Sequence, residues 1–145
     1  MITSTAPADR RLPPITLTHT LYDRLGGMAA ACEQRQPEVA AYLERELDRA
    51  VVVDDDRLPA TVVTIGSLVG FEEQETGARH TVTLCWPAEE DAAAHRVSVM
   101  TPVGVALIGL KQGQSIAWRN RAGAWRTLRI LSVTPPSSTG AAAGT

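Results

Sequence analysis

The residues able to do chemistry in this chain are few and scattered. The densest acidic run is Asp54-Asp55-Asp56. Three adjacent carboxylates offer hard oxygen ligands to a divalent cation, but without further ligands on a fixed scaffold they coordinate weakly. Glu33 and Glu38 flank Gln34-Arg35-Gln36-Pro37, which would bring two carboxylates and a guanidinium to a joint between helices. Glu38, directly after Pro37, also stands where a helix dipole favours a carboxylate by a few tenths to about 1 kcal/mol. His19, His80 and His95 lie in separate segments, with no cysteine or second histidine at ligand spacing. Ser67, Ser98 and Ser115 lack a G-x-S-x-G elbow. Neither G-x-x-x-x-G-K-[ST] nor G-x-G-x-x-G occurs, so no loop is built to cradle phosphate. The expectation is a chain with no catalytic residue, no metal site and no cofactor, which acts by binding.

The elements that would position these groups follow from apolar spacing. Leu21, Leu25, Met28 and Cys32 recur at helical spacing, with Thr20 and Asp23 placed as a capping box. Gly26-Gly27 inside that helix cost about 1 kcal/mol each relative to alanine, so the helix needs a partner. From Pro37 to Ala50, the set Val39, Tyr42, Leu43, Leu47 and Ala50 forms an apolar stripe opposite Glu44, Arg45, Glu46, Asp48 and Arg49. The short joint at Glu33–Gln36 makes the two helices an antiparallel hairpin about 20 Å long. After Asp54–Ala60 the period changes to alternation. Strands are predicted near 61–65, 67–72, 79–86, 95–99, 115–118 and 125–133, with one short helix at 102–108.

Composition bounds the rest. A chain of 145 residues with 44% hydrophobic content supports one modest core and an appendage. The expected division is a tail over 1–14, a hairpin over 15–53, a linker over 54–60, a sheet domain over 61–134 and a second tail over 135–145. Both tails are rich in Pro, Ser, Thr, Ala and Gly, and are read as disordered. A net charge of -2 excludes binding to DNA through clustered cations. Cys32 and Cys85 give no disulfide framework, and no run of eighteen apolar residues occurs, so a cytoplasmic protein without membrane attachment is expected.

The order of elements from Arg96 to Ile116 is the most constrained part of the chain. Val97 and Val99 alternate as in a strand, Thr101-Pro102 supplies an N-cap with proline at the first helical position, and Gly109 and Gly113 bracket the exit. This resembles the C-terminal domain of the Gre transcript-cleavage factors, where a Ser-Pro-hydrophobic-Ala-x-Ala-Leu-Leu-Gly run precedes Lys-x-Gly-Asp and a strand. Met100 before Thr-Pro and Val103-Gly104 after it, with Leu43–Ala50 and Val63–Ser67, resemble the regulator of nucleoside diphosphate kinase (Rnk) family of the GreA/GreB superfamily. The resemblance spans roughly residues 15–134.

That resemblance implies an α+β fold: a short N-terminal antiparallel helical hairpin, then a Gre C-terminal, FKBP-like twisted antiparallel sheet with one short helix. It implies RNA polymerase core as partner, docked at the rim of the secondary channel in competition with Gre factors. The implied contact residues are Met100, Thr101, Pro102, Val103, Gly104 and Ala106, with Glu33, Arg35 and Glu38 at the hairpin tip. In the Gre pattern an acidic pair at the tip of a long hairpin helps to hold a catalytic magnesium. Here Asp54–Asp56 follow the second helix instead, and the hairpin is short. The alternatives are a Gre-like cleavage factor using Glu33 or Glu38, and a hairpin that serves self-association or another protein. The FKBP-like topology also raises prolyl isomerisation, for which Phe71, Trp86, Trp118 and Trp125 are the rings available to line a pocket.

Overall fold

Ile15 and Leu17 are fully buried and alternate with half-buried Thr16 and Thr18, the period-two pattern of a strand with one face covered. They form β1 (Ile15–Thr18), at the start of a computed structural model that describes residues 13–120 and 122–136. Most of the two tails read from composition lies outside the described residues. Thr18 then accepts a hydrogen bond from the Leu21 amide at 3.1 Å and caps α1 (His19–Cys32). The cap is therefore Thr18, not the Thr20–Asp23 box expected from sequence. Pro37 opens α2 (Pro37–Asp48), with Glu38 in its first turn.

The chain leaves α2 directly into β2 (Ala50–Val53), which pairs in parallel with β1, Ile15 opposite Ala50. Parallel strands need a crossover of a dozen or more residues, and here the helical hairpin is that crossover. Neither strand was expected, since Ala50 had been assigned to the end of the second helix.

Asp54–Asp56 are not a free linker either. Asp55 accepts from the Thr20 amide at 3.1 Å and from the Thr20 hydroxyl, placing its carboxylate on the positive end of α1. These hydrogen bonds hold the Asp55 carboxyl below its ordinary value of 3.8. A depressed carboxyl contributes stability that is present above its unfolded value and is lost as pH falls through the folded one. Asp55→Ala is therefore expected to lower Tm slightly at about pH 7 and by progressively less as pH falls below the ordinary carboxyl value, which paired thermal melts would check.

The second unit is a five-stranded sheet in the order β5-β4-β3-β7-β6, comprising β3 (Leu68–Glu73), β4 (Arg79–Cys85), β5 (Arg96–Ser98), β6 (Ser115–Arg119) and β7 (Trp125–Thr134). The β3–β4, β3–β7 and β6–β7 pairs are antiparallel, as expected. β4 and β5 run parallel, joined by 3-10 turns at Pro87–Glu89 and Ala92–Ala94. The segment at 61–65 joins no ladder. Val62 makes one bridge to Lys111, and Val63 exchanges backbone hydrogen bonds with Leu110 and Gly109, so this stretch is tied to the Gly109–Lys111 segment.

α3 (Pro102–Leu107) covers the inner face with Val105, Ala106 and Leu107, all fully buried. Hairpin and sheet share one core: Leu21, Leu25 and Leu43 belong to the same buried cluster as Val105, Leu107, Ile116 and Leu128. Two further ties fix their relation. The Thr16 amide donates to the Gly109 carbonyl at 3.0 Å, and the Arg24 guanidinium lies 4.1 Å from the centre of the Trp86 ring.

Candidate docking surface

Thr101 is extended and caps α3, its hydroxyl donating to the Ser98 carbonyl at 2.8 Å and accepting from the Gly104 amide at 3.0 Å. Ser98, itself buried, accepts from the Met100 amide at 2.9 Å. Three hydrogen bonds thus hold the turn from Ser98 to Gly104, and proline fixes the first helical φ. What the turn presents to solvent is narrower than the sequence suggested. Met100, Gly104 and Ala106 are buried, whereas Thr101, Pro102 and Val103 remain half-exposed.

Those three residues line an open groove of about 480 Å³. Val97 and Trp118 extend its apolar wall, and Glu90 is the charged side chain among the described lining residues. The groove thus lies between the start of α3, the β6 end that carries Trp118, and the loop after the first 3-10 turn. The sequence reading took Val97 as a strand residue and placed neither it nor Glu90 in a site, because the fold brings them to the groove from an edge strand and a loop with no local signal.

The hairpin tip lies beside this turn. The Gln36 side chain donates to the Met100 carbonyl at 3.4 Å instead of capping its own helix, and α2 packs on α3. Glu33, Arg35 and Glu38 are exposed on that tip, so the fold brings the two sets of candidate residues to one side of the molecule.

The other chemical candidates disperse. Ser67 and Ser98 are buried, and each accepts a hydrogen bond from a backbone amide. His80 contacts Glu73 at 2.9 Å and lies near the Phe71 ring, while His19, at the start of α1, is 3.8 Å from Asp54. No group of His, Cys, Asp or Glu able to hold a metal ion occurs among the described residues. Of the four rings considered for an isomerase pocket, Trp118 alone lines the groove; Trp86 is covered by Arg24 and Phe71 is buried. Among the described residues no helix is long and apolar enough to cross a membrane.

Comparison with known proteins then places the chain. Residues 58–135 match the family described as transcription elongation factor GreA/GreB, C-terminal, and residues 13–53 match the Rnk N-terminus. The regulator of nucleoside diphosphate kinase of Escherichia coli K12 is 38% identical over 95 residues, covering 66% of this chain and 70% of that protein. The chain belongs to the Rnk branch of the GreA/GreB family. Transcription elongation factor GreA of Azorhizobium caulinodans is 34% identical over 93 residues, covering 64% of this chain and 59% of its own length. The solved structure of a GreA/GreB elongation factor from Nitrosomonas europaea superposes with a TM-score of 0.66 at 35% identity, covering 83% of this chain and 98% of its own. The Rnk and Gre segments meet near residues 53–58, where the hairpin hands over to the sheet unit.

Proposed function

We propose that the protein is a non-enzymatic regulator of transcription that binds core RNA polymerase at the rim of its secondary channel, in the cytoplasm, and competes there with Gre factors. The observation that carries this reading is the half-exposed Thr101-Pro102-Val103 at the mouth of an open groove, on a turn tied by three hydrogen bonds. A rigid apolar tip of this kind loses little entropy on docking, which is what an affinity anchor needs. The family relation to transcription elongation factors supports polymerase as the partner. The hairpin favours docking without cleavage. α1 has 14 residues and α2 has 12, which at 1.5 Å per residue makes a hairpin about 20 Å long, and Gln36 tethers its tip to the sheet unit. Carboxylates held in this way do not extend toward a distant metal.

The test is binding of purified protein to core RNA polymerase, with a Gre factor as competitor and RNA cleavage in stalled complexes read in parallel. Val103→Glu is expected to weaken binding at least tenfold, about 1.4 kcal/mol, while the variant keeps its circular dichroism spectrum. Wild-type protein should displace the Gre factor without shortening RNA. Cleavage that disappears in Glu33→Ala or Glu38→Ala would replace this reading with a Gre-like mechanism. A folded Val103→Glu protein that binds as the wild type does would remove the turn from the interface.

A further inference from the structure

The two edges of the five-stranded sheet differ. At β5 the edge is closed, because Asp91 and Arg96 exchange amide-to-carbonyl hydrogen bonds of 2.9 and 3.2 Å and the loop takes the place of a further strand. At β6 no such closure exists among the described residues. The Ile130 amide donates to the Gln114 carbonyl at 2.9 Å and the Asn120 amide to the Ala124 carbonyl at 3.0 Å, which fixes the phase of the β6–β7 ladder. Hydrogen-bonded pairs recur at every second residue of an antiparallel ladder, so Ile116 and Trp118 turn their amides and carbonyls to β7, and Ser115, Ala117 and Arg119 turn theirs outward. Thr127, opposite Ala117, obeys the same phase. Its amide donates to the Glu75 carboxylate at 2.9 Å and its carbonyl accepts from the Gln74 amide at 2.8 Å, both on the side away from β6. Ser115 and Arg119 are exposed and Ala117 is half-buried. β6 holds no proline, lysine or bulge, the devices that usually blunt an open edge.

We infer that this edge pairs with β6 of a second copy of the chain, antiparallel about a twofold axis at Ala117, so that two five-stranded sheets become continuous. The order of side chains along the strand is what selects a second copy. An isologous contact sets each residue against the one equidistant from the axis. Ala117 then faces Ala117 of the second copy, Ser115 faces Arg119, and Ile116 faces Trp118. No like charges stand directly opposite, the smallest side chain lies where the strand meets itself, and each outward amide meets an outward carbonyl. On the inner face, Ile116 of one copy and Trp118 of the other carry the apolar core across the junction, since Ile116 belongs to the buried cluster and Trp118 packs against it. An acidic segment finds less to read, because Arg119 is the one charge on β6 and stands at its end. Five residues make a small interface, so the dimer is weak and forms at high concentration.

The experiment is sedimentation velocity of the full chain from about 10 μM to about 1 mM, the range in which a small interface becomes populated, with amide hydrogen exchange read by NMR at both ends. The wild-type protein is expected to move from the monomer toward twice its mass. The amides of Ser115, Ala117 and Arg119 should exchange quickly when dilute and slowly when concentrated. Ala117→Lys sets two cations face to face at the axis and should weaken association at least tenfold, while keeping the Tm of dilute wild type. Ala117→Pro removes an amide that β7 does not use and should act alike. If the proline variant fails to fold, Ala117→Lys carries the test alone. Ser115→Glu places a carboxylate opposite Arg119 on both sides of the axis and should tighten the dimer roughly threefold. A wild-type protein that stays monomeric across the range overturns the inference, and amides that are slow at every concentration then assign the edge to one of the chain's own termini. A dimer indifferent to the Ala117 variants forms through another surface and overturns it equally. A dimer that Ser115→Glu weakens has a different register, and the pairing described here is wrong.

Discussion

Replacing Gly104 with alanine is expected to destabilise the protein by about 3 kcal/mol, the upper part of the usual range for overpacking. A Cβ at this position would stand 2.1 Å from the Ser98 carbonyl oxygen, 2.8 Å from Val99 Cα and 3.0 Å from the Ser98 carbonyl carbon. All three are backbone atoms, so no side-chain rotation relieves the overlap. On propensity alone alanine gains about 1 kcal/mol over glycine within a helix, and the collision outweighs that gain. Relief requires α3 to lift off β5, which breaks the bond from the Thr101 hydroxyl to the Ser98 carbonyl and uncovers Val105 and Leu107. Urea melts of the two proteins measure the loss, and a Gly104→Ala protein as stable as the wild type would show that α3 is not seated as described. The same comparison separates two kinds of residue in the Thr-Pro segment. Weaker polymerase binding by Gly104→Ala would follow from a displaced helix, whereas weaker binding by Val103→Glu would be local.

The distinction between Gly104 and Val103 could not be made from the sequence. Thr101-Pro102 and the bracketing glycines identified a capped short helix, because caps, proline and turn glycines act within a few residues of one another. The stripe of α2 and the alternation in β4, β6 and β7 were legible for the same reason. Which side of a six-residue helix faces inward depends on Ser98 and Val99 beneath it, and so Met100, Gly104 and Ala106 were grouped with the half-exposed Pro102 and Val103. β1 and β2 stayed hidden because each has four residues and they pair in parallel across 35 positions, with no turn signal between them. Thr61–Ile65 had the composition of a strand, but its amides and carbonyls are used by the turn at Gly109–Gln112, not by a ladder. The groove is the extreme case. Glu90, Val97 and Trp118 meet Val103 through sheet topology alone, and the approach of the hairpin tip rests on a contact between Gln36 and Met100, 64 residues apart.

The second large effect is expected at the end of α2, where Glu46 is 1% exposed and pairs with Arg49. The guanidinium grips the carboxylate with both arms, Nη2 to Oε1 at 2.5 Å and Nε to Oε2 at 3.3 Å, while Nη1 donates to the Pro13 carbonyl. The pair thereby links the last turn of α2 to the segment leading into β1. Burial raises the Glu46 carboxyl above its ordinary 4.5, and the charge and hydrogen bonds of Arg49 offset only part of that rise. Tyr42, one turn away, is raised as well, first by its own burial and then by the Glu46 charge, and stays neutral throughout the accessible range. Arg49→Ala leaves a carboxylate buried without its partner, a change that costs about 3–5 kcal/mol in comparable sites. Its pH dependence follows from the sign of the shift. A carboxyl whose folded value lies above its unfolded one binds its proton more tightly in the native state, so the native state is favoured at low pH and loses stability as pH rises through the folded value. Without Arg49 that folded value rises further. The deficit of Arg49→Ala relative to wild type should therefore be small near pH 4.5, grow as the carboxyl ionises and level off once ionisation is complete. Urea melts at several pH values would trace this curve, and a deficit that does not change with pH would assign the loss to the Pro13 hydrogen bond instead of the buried charge. Converting both positions to leucine removes the charge and its partner together, and is expected to recover most of the stability that Arg49→Ala loses.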